Sequence, residues 1–274
     1  MYRLILASTA LLIASTAVAD DCKHQAARNL DIDATGLKTL AIEPGWSDIK
    51  LQGVAGLARI EVRGKACASS TERLEGIRLL ERRDGDRVVV RVEYEAGSWS
   101  LIGYTYATLG LEVRIPETLA LEISSGSGDA VVADVASLDW NAGSGDLEVR
   151  KVAGLLRAKV GSGDVDARDV GAFTLASTGS GDFRVEGVRG DVEVGSGGSG
   201  DLTFHRVDGS VRIGNIGSGD VELHDIGGSV TVESIGSGDV SVDGVRGDLT
   251  VTAQGSGTTS HRNVAGKVDV PADD

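Results

Sequence analysis

Seven aspartates, Asp129, Asp146, Asp164, Asp182, Asp201, Asp220 and Asp239, recur at steps of 17 to 19 residues, each closing the tetrapeptide Gly-Ser-Gly-Asp. A decayed copy, Gly255-Ser256-Gly257-Thr258, ends the series. Carboxylates spaced so regularly have two chemistries open to them. They can ligate a hard cation such as Ca²⁺, or accept backbone N–H bonds at tight turns where glycine supplies positive φ. Stacked about 4.8 Å apart, neighbouring carboxylates would repel each other by roughly 1 kcal/mol in water, so each needs a compensating partner. The turn reading accounts for every residue of the motif. The Ca²⁺-binding nonapeptide of β-rolls, G-G-x-G-x-D-x-U-x, differs by a residue between glycine and aspartate.

Four residues beyond the last six of these aspartates stand Arg150, Arg168, Glu186, His205, His224 and Asp243. If successive repeats stack, His205, His224 and Asp243 become neighbours on one face, a donor set suited to Zn²⁺ or Cu²⁺. A rigid strand column wraps a tetrahedral ion poorly, so a solvated polar face is the favoured reading and no metal is assigned. Trp99, Tyr104 and Tyr106 crowd one segment of a chain that is only 4% aromatic. Two readings stay open for them: a loop that stacks on sugar rings or anchors a protein partner, and a hydrophobic plug over the end of the core. Catalysis finds no support. No Gly-x-Ser-x-Gly elbow joins a strand to a helix, and acidic side chains are spread too evenly to single out a catalytic pair. The expectation is a non-enzymatic protein without a cofactor, Ca²⁺ being the alternative.

The elements that carry these residues are strands. In Gly217–Ile235, Val221 and Leu223 alternate with Glu222 and His224, and Val230 and Val232 with Thr231 and Glu233. Alternation of period two with β-branched residues marks strands with one buried face. Whole-repeat identity every 17 to 19 residues favours stacked coils over a meander of hairpins. The predicted fold is all-β: a parallel β-solenoid, or β-helix, right-handed by the crossover preference. Whether each coil has two or three sides is open. Gly45-Trp46-Ser47-Asp48 begins a faded coil that 57–62 continues, and 87–92, 111–116 and 119–123 look like further irregular capping coils. Residues 20–123 then form the irregular N-terminal cap and 124–274 the regular solenoid, in one continuous domain.

The first residues read as an export signal over 1–19: Arg3, an apolar run from Leu4 to Ile13, and Ala17-Val18-Ala19 before the cut. With an oxidising destination, the only two cysteines, Cys22 and Cys67, are expected to form a disulfide. Net charge is −14. Residues 124–274 hold 24 acidic against 12 basic side chains, a balance that repels phosphate backbones and excludes nucleic acid as a partner.

The signal, Cys22-Lys23-His24, Ala66-Cys67-Ala68, Val113-Arg114-Ile115-Pro116 and the Ser-Gly-Ser-Gly-Asp repeats together resemble an exported bacterial β-strand-repeat family of unknown function labelled "putative adhesin". The resemblance implies a β-solenoid outside the cytoplasm, in the periplasm, at the cell surface or secreted, and brings no catalytic residues. The expected function is an adhesin-like binding or scaffold protein of the bacterial envelope, with an envelope polymer, a surface glycan or a protein as partner. The alternatives are a Ca²⁺-responsive solenoid and a self-assembling structural element. No transmembrane segment is expected after signal cleavage, and the oligomeric state is not predicted.

Overall fold

Alternating apolar residues turn nearly every segment of the chain into strand. The computed structural model describes residues 22–95 and 105–271; the expected signal, Trp99 and Tyr104 lie outside the described residues. From residue 120 onward the chain winds upward in two-sided coils, with a strand on each side except where the single strands Leu147–Val160 and Val165–Thr178 run through both. One ladder of parallel strands runs through Phe183–Val188, Leu202–Val207, Val221–Ile226, Val240–Val245 and Thr259–Val264. The other runs through Val192–Gly197, Val211–Ile216, Val230–Ile235, Leu249–Gln254 and Val268–Asp269. Equivalent residues stack in register, as with Phe204, Leu223 and Val242, all buried. Each such apolar side chain taken out of water contributes about 1.5–3 kcal/mol, and stacking makes the columns one core.

A backbone detail explains why each first strand buries its first, third and sixth residues rather than alternating to the end. Asp134, Lys151, Asp169, Gly187, Arg206, Asp225, Gly244 and Asn263 form a column in the left-handed region, with φ between 56° and 78°. One such residue per coil turns the chain so that the next side chain, Val152 or Ile226 for example, points back into the core. Most residues lose roughly 1–2 kcal/mol in this conformation. Lys151→Gly is therefore expected to stabilise the fold by about 1 kcal/mol, raising Tm by roughly 2–4 °C. The exposed Lys151–Asp134 pair, 3.6 Å apart, offsets little of that. Thermal melts of the two proteins check it, and a lower Tm for the variant would refute the strain argument.

The Gly-Ser-Gly-Asp corners correct one expectation. None of their glycines has positive φ; in this series only Gly45 of the faded copy does. Glycine is needed there because coils approach closely. A Cβ on Gly145, Gly163, Gly181, Gly200, Gly219, Gly238 or Gly257 would lie 1.9–2.2 Å from the carbonyl oxygen of the equivalent glycine in the preceding coil.

The N-terminal region departs from a simple run of coils. Its elements are β1 (His24–Asp33), β2 (Thr39–Gly45), β3 (Ile49–Val54), β4 (Arg59–Ala68), α1 (Thr71–Glu75), β5 (Ile77–Asp84), β6 (Arg87–Tyr94), β7 (Ala107–Pro116), β8 (Ala120–Ser125) and β9 (Ala130–Val135). The coil made by β2 and β3 sits between β6 and β7 on one side and β8 and β9 on the other, all parallel. Of the expected segments, 87–92, 111–116 and 119–123 stack in parallel on the β2–β3 coil. By contrast 57–62, expected to continue that coil, leads into β4, which runs antiparallel to both β1 and β7, and β5 adds an antiparallel hairpin with β6. Folding back covers sheet edges that a plain last coil would leave open. The Arg28 guanidinium secures this cap by donating to the carbonyls of Ile77 (2.6 Å) and Leu74 (2.7 Å).

Candidate functional site

The aspartate column is a rail of hydrogen bonds. Asp129 N–H donates to the Asp48 carboxylate, Asp146 N–H to Asp129, and so on through Asp164, Asp182, Asp201, Asp220 and Asp239, at 2.8–3.1 Å. Each carboxylate thus satisfies the corner N–H of the coil above it, which is the compensation that stacked like charges require. Thr258 closes the rail, donating both its N–H and its hydroxyl to Asp239. Those two bonds hold the Asp239 carboxyl below the usual aspartate range. The opposite corner carries a shorter rail, Asp191, Ser210, Ser229, Asp248 and Lys267. Among the described residues, no three His, Cys, Asp or Glu side chains converge as a metal site.

The predicted polar column is in register, His205 beside His224, Asp243 and Arg262. Its members face different partners. The two imidazoles lie 5.9 Å apart, and His205 Nε2 is 3.6 Å from Asp225. Asp243 accepts from Arg262 (2.7 Å) and Asn263 (2.8 Å), bonds that pull its pKa to about 2. Engaged by the coil beyond it, Asp243 belongs with Arg262 rather than with the histidines.

A more distinctive arrangement stands at the faded corner. Where other corners carry an exposed serine, this one carries Trp46, 52% exposed. The indole is held from two sides. Its ring stacks on Tyr94, with centroids 3.9 Å apart and planes 20° apart, and its Nε1 donates to the Ala107 carbonyl at 3.3 Å. Tyr94 is itself fixed, its hydroxyl 2.6 Å from the buried Ser47 hydroxyl. Burial pushes the Tyr94 phenol upward, so it stays protonated. Tyr94 and Ala107 end and begin β6 and β7, the strands flanking the expected aromatic loop. Of that loop's three aromatics only Tyr106 is described. Its hydroxyl accepts from Lys23 N–H, and its backbone pairs with Ser69. Cys22 and Cys67 are disulfide-bonded one strand away, Cys67 lying opposite Thr108. Trp46 escaped the sequence reading, although tryptophan at the serine position of a repeated corner was the available signal.

A protein-family model, Toastrack DUF4097, matches residues 61–274. The chain belongs to the Toastrack DUF4097 family. No match is found among curated proteins. Solved structures similar to this Toastrack chain include a "putative lipid binding protein" from Parabacteroides distasonis, at 15% identity and a TM-score of 0.47, covering 91% of this chain and 98% of that one. A "putative adhesin" from Bacteroides fragilis gives 8% identity and a TM-score of 0.39, covering 91% and 98%. A "putative cell adhesion protein" from Clostridium sporogenes gives 10% and 0.30, covering 90% and 99%. Among the described residues of the Toastrack chain, no helix is long and apolar enough to cross a membrane.

Proposed function

We propose that this chain is an exported, non-catalytic, adhesin-like binding protein of the bacterial envelope, and that it contacts its partner through the corner built by Trp46 and Tyr94. The observation that carries the reading is an exposed indole locked by stacking and a hydrogen bond at a position where other coils place serine. Large aromatic side chains immobilised before binding lose little entropy on contact, which is why they dominate interface energetics. The rest of the solenoid then acts as a rigid support, its corners tied coil to coil by the aspartate rail. The names carried by similar structures fit a binding role and guide the choice of assay.

The test is binding of the mature chain to arrays of glycans and of envelope proteins, alongside Trp46→Ala. A truncated hot-spot aromatic commonly costs 2 kcal/mol or more, so the signal should fall by about 30-fold. Equal binding by both proteins would remove the corner from the function.

A further inference from the structure

The surroundings of Trp46 narrow the class of partner. Among the described residues the only large apolar side chains well exposed are Trp46, Leu80 and Val131. Among the described residues no other large apolar side chain of β2, β3, β6 or β7 is well exposed, so these strands offer one aromatic plane set in polar surface. A lipid surface or a protein hot spot needs neighbouring apolar area to exclude water around the anchor. A sugar ring does not: its C–H face packs on the indole while its hydroxyls stay among polar groups.

Charge narrows it further. Asp48 stands exposed two residues from the indole, and the Asp129 carboxylate follows one coil above. In each, Oδ1 holds the next coil's N–H, and an approaching anion meets two carboxylates on a protein of net charge −14. Uronate, sulfated and phosphate-bearing polymers are repelled, whereas sugar hydroxyls can donate to carboxylate oxygen.

Resting on the binding role just argued, we infer that the ligand of the Trp46 corner is an uncharged glycan, one sugar ring stacked on the indole and its hydroxyls directed to Asp48. The experiment uses the mature chain with its disulfide intact. It is titrated with neutral oligosaccharides of glucose, mannose and N-acetylglucosamine, with a polyuronate, and with phosphatidylcholine vesicles, while tryptophan emission and heat are followed. At least one neutral oligosaccharide should shift the emission. Measured by heat, Trp46→Ala should weaken affinity about tenfold or more, with Trp46→Phe keeping part of the affinity and both variants melting near the parent.

Binding of the polyuronate or the vesicles in preference to every neutral sugar overturns the inference. Neutral-glycan binding that is indifferent to Trp46→Ala overturns it as well. Failure of every sugar, with Trp46-dependent capture of an envelope protein retained, sinks the glycan assignment and leaves the binding role standing. Loss of Trp46 dependence for every partner removes both.

Discussion

Gly200→Ala should lower the melting temperature by roughly 6–12 °C, the shift that a loss of about 3 kcal/mol gives a chain of this length. The added Cβ would lie 2.0 Å from the Gly181 carbonyl oxygen and 2.6 Å from its carbon. Neither atom is free to move. They lie in a corner whose N–H and C=O groups tie each coil to the next, Ser199 N–H donating to Gly179 and Asp201 N–H to the Asp182 carboxylate. Relief by widening one step would break those bonds and the apolar columns beneath them. The same clash recurs one coil higher, where a Cβ on Gly219 would meet the Gly200 carbonyl at 2.0 Å. Ser199→Ala is the internal control, since this neighbour is exposed and should shift stability by less than about 0.5 kcal/mol. Circular-dichroism melts of the three proteins decide it. Coincident curves for Gly200→Ala and the parent would show that corner packing does not set the spacing.

The second large effect falls on the other end of the molecule. Cys22 and Cys67 close a loop of 45 residues, and removing that constraint by Cys22→Ser with Cys67→Ser should cost about 4 kcal/mol on the chain-entropy account. The loss should be local. Among the described residues β1 has one strand neighbour, β4, and the disulfide anchors the start of that pairing. Amide exchange in residues 24–33 should therefore accelerate by two or more orders of magnitude, while Val211–Ile216 and Val221–Ile226 keep their protection. Uniform acceleration along the chain would instead mean that cap and coils unfold as one unit. Unchanged exchange in β1 would mean that pairing with β4 holds the strand without help.

Why some features can be read from the residues and others cannot follows from how each is encoded. The corners are legible because stacking places identical residues over one another, so Gly-Ser-Gly-Asp repeats wherever the chain turns. Their glycines serve close approach, a reason invisible without the neighbouring coil. The left-handed column stays hidden because Asp, Lys, Arg and Asn occupy it alongside only two glycines, Gly187 and Gly244. Gly45-Trp46-Ser47-Asp48 is recognisable as a coil, and its Asp48 does start the rail. Its neighbours are not recognisable, since the strands on either side of it come from 87–116 and 120–135. The polar column of His205, His224 and Asp243 is correct in register, yet rotamers and the adjoining coil send Asp243 to Arg262. Periodicity gives position along a strand, and partner choice depends on what lies beside it.

The displaced coil has a consequence for how the molecule comes into being. From residue 137 onward each strand adds to one made less than 20 residues earlier, so growth is stepwise and each closure is short. β2 and β3 cannot join in that way. When they emerge, neither flank exists; β6 and β7 supply the first, and the second waits for β8 and β9, as much as 81 residues downstream in the Asp48–Asp129 bond. A chain released amino-terminus first therefore carries the β2–β3 coil with one flank open until residue 135 is out. Tyr94 and Ala107, which hold the Trp46 indole, are already out by then, so the aromatic corner can be set before the seam beside it is sealed.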